Sequence, residues 1–106
     1  MYIYVGVLSP YAIHRRGFMR IARGFTLEEL AGEYFAIPYG EQYQADASML
    51  SLNESGAFLW QLLEEEADEE FLCEELVRVY HIEKSLAGKA VTSFLELLRE
   101  RQLLVE

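Results

Sequence analysis

The sequence predicts a small α+β domain of winged-helix type, in which a three-stranded antiparallel sheet is followed by three helices. Three observations lead to this prediction. Short runs rich in β-forming residues precede Asn53, and apolar residues recur at helical spacing after it. Asn53 itself is a favourable N-cap where the strand pattern gives way to the helix pattern. The chain has 106 residues, of which 52% are hydrophobic, so it is long enough for one domain with its own core.

The first predicted strand carries a conflicting local signal. Residues 25–31 have helix propensity, and Thr26 and Glu29 stand at capping-box spacing. Gly32 follows at once, however, and so short a helix is marginal in isolation. The local pattern therefore leaves residues 25–31 open between helix and strand.

The next two strands are clearer. Residues 34–39 are rich in β-formers, and Pro38 is compatible with a strand end. A polar connection at residues 40–47 leads to the third strand, predicted at residues 48–52. This third strand contains no lysine or proline, the residues that commonly protect an exposed edge. If it lies at the sheet edge, its free main-chain groups can pair with an added strand.

Three helices are predicted after the sheet. The first runs from residue 53 to about residue 65, and Asp68 caps the second. The residues that the second helix turns inward are predicted to be Phe71, Leu72, Leu76 and Tyr80. The third helix begins near Glu83 and ends near Arg101, before the apolar residues 103–105.

The third helix has more apolar surface than one core requires. Its apolar side chains fill an arc of about 180°, whereas a core-facing stripe needs only about 100°. They are Leu86, Ala87, Ala90, Val91, Phe94, Leu95, Leu97 and Leu98. We therefore expect a bound partner, a dimer contact or the chain's own tails to cover one margin of this arc.

The charge is unevenly distributed. Residues 1–24 carry four arginines and no acid, whereas residues 25–106 carry all 18 acids and a charge of −13, which gives the net charge of −9. So acidic a body repels phosphate backbones, and no nucleic-acid partner is expected. No membrane association is expected either, because no apolar run approaches the roughly 20 residues of a spanning helix.

No catalytic, metal or cofactor site is predicted. His14 and His81 are far apart, with no further ligand at metal-binding spacing. Cys73 is expected to be a buried structural thiol, and a single cysteine fits a cytoplasmic location. The acidic residues 64–70 straddle a helix junction and lack the pattern of a calcium loop, so they are interpreted as solvated surface.

Three segments resemble one family. They are LNESGAFLW at residues 52–60, MRIARGFTLEELAGEY at residues 19–34 and YHIEKSLAGKAVTSFLELL at residues 80–98. Together they resemble the PqqD-like family, also called RiPP recognition elements, over residues 19–104. The resemblance implies that residues 25–31 form a strand, in a hairpin that turns near Gly32 and Glu33.

The resemblance also implies a binding site. In PqqD-like domains the leader of a ribosomally made precursor peptide lies antiparallel along the third strand, in the groove between that strand and the third helix. The expected peptide-binding residues are Ser48, Met49, Leu50, Ser51, Leu86, Ala90, Phe94 and Leu97. The Val91 and Leu95 margin is the alternative wall. Ala90 departs from the family pattern, in which this position is usually acidic, and Glu83 stands where aspartate usually caps the third helix.

The expected function is therefore that of a non-catalytic peptide chaperone, which presents the leader to a modifying enzyme such as a radical SAM protein or a leader peptidase. Two alternatives stay open. One is a winged-helix DNA-binding regulator, against which the acidic body argues. The other is a structural module that forms a homodimer through the same strand edge.

The first 18 residues have two interpretations. Residues 19–106 form the family-like domain, and Met19 resembles a natural family start. Residues 15–17 could be encoded by a purine-rich ribosome-binding sequence, so residues 1–18 could be translated upstream sequence. Alternatively, residues 2–5 form an extra strand.

Overall fold

The computed structural model describes residues 17–45 and 47–106. Within them the strands are β1 Arg20–Ile21, β2 Phe25–Leu30, β3 Glu33–Pro38, β4 Leu50–Leu52 and β5 Leu104–Val105. The helices are α1 Glu41–Gln44, α2 Glu54–Leu62, α3 Glu69–Tyr80 and α4 Lys84–Glu100. An antiparallel sheet in the order β2-β3-β4 precedes the three longer helices, which confirms the predicted α+β class. The extra strand considered for residues 2–5 lies outside the described residues.

The strands β2 and β3 form a hairpin rather than a helix and a strand. Leu30 pairs with Glu33 across a two-residue turn, in which Ala31 and Gly32 have φ angles of 54° and 82°. Two successive positive φ angles are typical of a type I′ turn, whose twist suits antiparallel strands. Gly32 adopts this conformation without steric cost, and the pairing along the hairpin outweighs the weak local helix propensity.

The third strand of this sheet, β4, lies at its edge, as the strand-addition hypothesis requires. It begins at Leu50, two residues later than predicted, so Ser48 and Met49 precede the strand. The register explains the late start. Leu50 pairs with Ala36, so Ser48 would stand opposite Pro38, which has no N–H to donate.

Side-chain caps begin two of the three longer helices. The Gly56 N–H donates to the Asn53 side chain at 2.7 Å, and the Phe71 N–H donates to Asp68 at 2.8 Å. Both caps confirm the prediction. Glu83 precedes α4 without a side-chain cap, as expected of this weaker capping residue.

One residue predicted to face inward from α3 lies at the surface. Leu72 and Leu76 are fully buried, but Phe71 is 41% exposed. The inward stripe follows the i, i+4 spacing from Leu72 to Leu76, and Phe71 is rotated from it by about 100°, one residue of a helix. The first long helix was also predicted too long, because α2 ends at Leu62.

Three short elements were not predicted. The two-residue strands β1 and β5 pair antiparallel, with Ile21 opposite Leu104, and the short helix α1 interrupts the polar connection. Both strands are too short to show a periodicity, and their pairing joins residues from opposite ends of the described chain. Met19 adds a further bridge, because its N–H and C=O both bond to Ala67.

The core lies where the helices pack on the sheet. Trp60 is 1% exposed, and the Phe25 ring meets it edge-on at 5.9 Å between centroids. Ala36, Leu50 and other sheet residues join the same cluster as the buried faces of the helices. Among the described residues, none of the helices has the combination of length and hydrophobicity that spanning a bilayer requires.

Candidate functional site

A groove of about 310 Å³ runs between β4 and α4. One wall is the end of β4 and the start of α2, and the other is the middle of α4. The lining residues are Ser51, Leu52, Asn53, Ser55, Gly56, Leu59, Ala90, Ser93, Phe94 and Leu97. None of these carries a charge, so the groove offers apolar surface with a few hydroxyl and amide groups.

Half of the predicted peptide-binding residues line this groove. Ser51, Ala90, Phe94 and Leu97 come together there. Leu50 instead turns its side chain into the core and is only 4% exposed, so its side chain is not available at the groove.

The other predicted residues lie outside the groove. Ser48 and Met49 line a second cavity of about 590 Å³ beside the start of β4. Leu86 is in the first turn of α4, 55% exposed, and is not part of the groove lining. The structure therefore places the eight predicted residues on β4, on the two residues before it and on α4, but not in one pocket.

The face of α4 that lines the groove is defined by burial. Val91 and Leu95 are fully buried in the core, which leaves the Ala90, Phe94 and Leu97 side of the helix to form the wall. The apolar arc noted in the sequence thus divides into a core stripe and a groove margin.

Sequence reasoning missed the contribution of the start of α2. Asn53, Ser55 and Gly56 belong to the segment that carried the family resemblance, but they were interpreted as a helix start only. Gly56 allows this segment to pack closely against its neighbours, because glycine has no side chain. A Cβ on Gly56 would lie 3.0 Å from the capping oxygen of Asn53 and 3.6 Å from the Phe94 ring.

The hydrogen-bonding pattern of the sheet follows from the hairpin turn. In a two-residue hairpin, the residues that flank the turn exchange both of their main-chain bonds, and every second pair along the strands repeats this. Leu30 and Glu33 are such a pair, and so are Glu28 and Phe35. Phe35 therefore directs its main-chain groups toward β2.

The residues on either side of Phe35 direct their groups toward β4. Tyr34 pairs with Leu52 and Ala36 with Leu50, so both leucines bond to β3. The N–H and C=O of Ser51, which lies between them, consequently point away from the sheet. The open edge of β4 thus presents one complete donor and acceptor pair beside the groove.

Among the described residues that line the groove there is no cysteine, histidine or acidic side chain. The one cysteine, Cys73, lies on α3 and is half-buried, which is less than expected. Burial raises the pKa of its thiol, and the nearby Glu69 carboxylate raises it further. In the described part of the chain, no group of three or more histidine, cysteine or acidic residues could hold a metal ion. The site's chemistry is that of main-chain pairing and apolar contact.

The fold and the groove define a class: a small α+β domain of winged-helix type with one open sheet edge beside a helix-lined apolar groove. The family model described as coenzyme PQQ synthesis protein D (PqqD) matches residues 42–104, more than half of the chain. The chain belongs to the PqqD family. The matched residues include all of β4, α2, α3 and α4, and therefore every wall of the groove.

A solved structure shares the fold. It is described as TbiB1 in complex with the TbiA(beta) leader peptide, and it aligns with a TM-score of 0.64 at 19% sequence identity. The alignment covers 80% of this chain and 93% of the other. Among curated protein sequences, none matches this chain.

Proposed function

We propose that the chain is a non-catalytic peptide-binding domain that captures the leader of a ribosomally synthesised precursor peptide. The observation that carries this proposal is the open edge of β4 beside the apolar groove, in a chain of the PqqD family. The similar TbiB1 structure is a complex with a leader peptide, which supports the same kind of ligand here.

The leader pairs antiparallel with β4 and turns alternate side chains toward α4. Each main-chain hydrogen bond contributes about 0.5–1.5 kcal/mol net. Ser51 supplies two such bonds, and Ser48 and Met49 extend the edge before the strand. Apolar side chains of the leader are then buried against Ala90, Phe94 and Leu97, which adds about 25 cal/mol for each Å² removed from water.

The bound leader is delivered to a modifying enzyme, a radical SAM protein or a leader peptidase. A domain that holds the leader by its main chain leaves the rest of the precursor free for that enzyme. In this arrangement the domain raises the local concentration of the precursor and contributes no catalytic group.

Titration with the leader of a precursor encoded beside the gene tests this proposal. Leu97→Glu replaces apolar surface of the groove by a carboxylate and should weaken leader binding at least about tenfold, because that carboxylate loses water when apolar side chains of the leader pack on it. Thr92→Glu adds the same charge to an exposed position of α4 outside the groove and is the matched control. Fluorescence anisotropy gives the affinities, and circular dichroism confirms that both variants are folded.

Parallel titrations with duplex DNA at two salt concentrations separate the DNA-binding alternative. Leader binding should depend only modestly on salt, whereas DNA binding weakens steeply as counterions are released. Tight, salt-steep DNA binding that Leu97→Glu leaves unchanged would overturn the peptide proposal. Mass measurements without peptide, over a range of protein concentrations, test whether the same edge forms a homodimer.

A further inference from the structure

The second cavity lies at the other end of β4 and differs from the groove in charge. It is lined by Phe25, Gln42, Ala45, Ala47, Ser48, Met49, Arg101, Gln102 and Leu103. Among these residues Arg101 alone is charged, and Gln42 and Gln102 add amide groups. In contrast, none of the described residues that line the groove is charged.

Arg101 differs from Arg78 and Arg99, which both form ion pairs. Arg78 bonds to Glu75 at 2.7 Å, and Arg99 bonds to Glu106 at 3.1 Å. Arg101 is exposed just after α4 and forms no ion pair with the residues that the structure describes. Its guanidinium therefore presents positive charge at the cavity, on a domain whose residues 25–106 carry a charge of −13.

The groove adjoins β4 and α4, and the second cavity adjoins the residues just before β4 and just after α4. On the strand side, Ser51 lies at the groove and Ser48 at the second cavity. On the helix side, Ala90 lies at the groove and Arg101 at the second cavity. A peptide antiparallel to β4 therefore passes the groove first and Arg101 afterwards.

Strand geometry determines how many residues of the peptide separate the side chain in the groove from the side chain at Arg101. Ser48 and Ser51 are separated by about 10 Å, at roughly 3.3 Å per residue of extended chain. The groove adjoins α4 and the second cavity adjoins the residues that directly follow α4, so both lie on the same side of the added strand. Side chains on one face of a strand recur at every second residue. An apolar side chain in the groove and a side chain at Arg101 are therefore two or four residues apart.

We propose that the second cavity is a subsite for an acidic side chain of the bound peptide, which lies two or four residues C-terminal to the apolar side chain in the groove. This inference rests on the proposed function. Arg101 receives the carboxylate as a hydrogen-bonded ion pair, with amide donors beside it. Because the groove is uncharged, this contact determines the register and direction of the peptide.

Selection from a random library of twelve-residue peptides tests the subsite even while the natural ligand is unidentified. The full chain should enrich peptides that have an apolar residue followed, two or four positions later, by aspartate or glutamate. Arg101→Glu should instead enrich lysine or arginine at that second position and keep the apolar preference. Lys89→Gln, which removes a cation from an exposed position of α4 outside both cavities, should select as the wild type does.

A double-mutant cycle then measures the contact. For a selected peptide, Arg101→Gln should weaken binding about twofold to fivefold, as expected of an exposed ion pair. The same peptide with its acid replaced by the amide should bind wild type and Arg101→Gln equally. Two results would overturn the subsite but not the proposed function. One is an acidic preference that persists in Arg101→Gln, and the other is selected peptides that share an apolar residue but no acidic one. If no peptide is enriched, or if Leu97→Glu leaves the selected peptides bound, the proposed function fails as well.

Discussion

Ser51 is the residue at which the sheet, the groove and solvent meet. Its side chain is exposed, its main-chain groups point away from β3, and it lines the groove together with α4. Leu50 and Leu52, on either side, are buried and bonded to β3. Along this short strand the side chains alternate between core and solvent, and the main-chain groups alternate between β3 and the open edge.

This alternation predicts that proline is tolerated at Ser51 but removes peptide binding. Ser51→Pro deletes an N–H that points away from β3 and that an added strand would use. Affinity for the leader should fall at least about tenfold, or about 1.4 kcal/mol, while circular dichroism shows the fold unchanged. Isothermal titration gives the affinity.

Two neighbouring substitutions serve as controls. Ser51→Ala keeps the N–H and should bind like the wild type, whereas Leu50→Pro removes a bond to β3 and should destabilise the sheet. Unchanged leader affinity in a folded Ser51→Pro variant would show that strand addition at β4 is the wrong mechanism.

At the scale of elements, α4 shows how one helix serves two surfaces. Ala87, Val91 and Leu98 are fully buried in the core, and Ala90 and Leu97 line the groove. The sequence predicted an apolar arc too wide for one core, and the structure assigns its second margin to the groove. A wide arc alone could not identify that margin, since the direction of a helix face depends on what packs against it.

The same helix contains a glycine whose replacement should stabilise the domain. Gly88 lies in the interior of α4, and a Cβ there would meet no atom within 4 Å. Gly88→Ala should raise the free energy of unfolding by about 1 kcal/mol, the difference in helix propensity. The melting temperature, measured by circular dichroism, should rise by roughly 4–8 °C for a domain of this size.

Gly56→Ala is the contrasting variant. The added Cβ would press on the Asn53 cap at 3.0 Å, so this change should destabilise the domain or leave it unimproved. A loss of stability in Gly88→Ala would contradict the assignment of Gly88 to an unobstructed helix interior.

At the scale of the whole molecule, the domain is closed by contacts between the two ends of its described chain. Ile21 pairs with Leu104, Met19 bridges to Ala67, and the Ala22 N–H donates to the Leu103 carbonyl at 2.8 Å. The β1 and β5 pairing joins the segment before the hairpin to the segment after α4. All of these contacts are made by Met19 or by residues that follow it.

A chain that begins at Met19 should therefore fold by itself. It keeps all the described strands and helices, so its melting temperature should lie close to that of the full chain, and it should bind leader at least as well. A chain that begins at Gly17 is the matched comparison, because it retains the half-buried Phe18. Calorimetry measures the melting temperatures of the two chains, and size-exclusion chromatography measures whether each is monomeric. An unfolded or aggregated Met19 chain, beside a stable monomeric full chain, would show that residues 1–18 belong to the fold.

The elements that depend on local signals could be predicted from the residues alone. Asn53 and Asp68 indicated the starts of two helices through their caps, and the spacing of Leu72 and Leu76 defined a buried face. The family resemblance resolved the one local conflict, at residues 25–31, in favour of the hairpin. Caps and periodicity are properties of a few neighbouring residues, and for that reason they can be predicted without the fold.

Which surfaces meet could not be predicted from local patterns and became known from the fold. It placed β4 at the sheet edge, turned Leu50 into the core, separated Met49 from the groove and put Arg101 at the same cavity as Met49. It also paired β1 with β5, which no local pattern indicated. These outcomes depend on contacts between residues far apart in the chain, and such contacts are set by how the core packs as a whole.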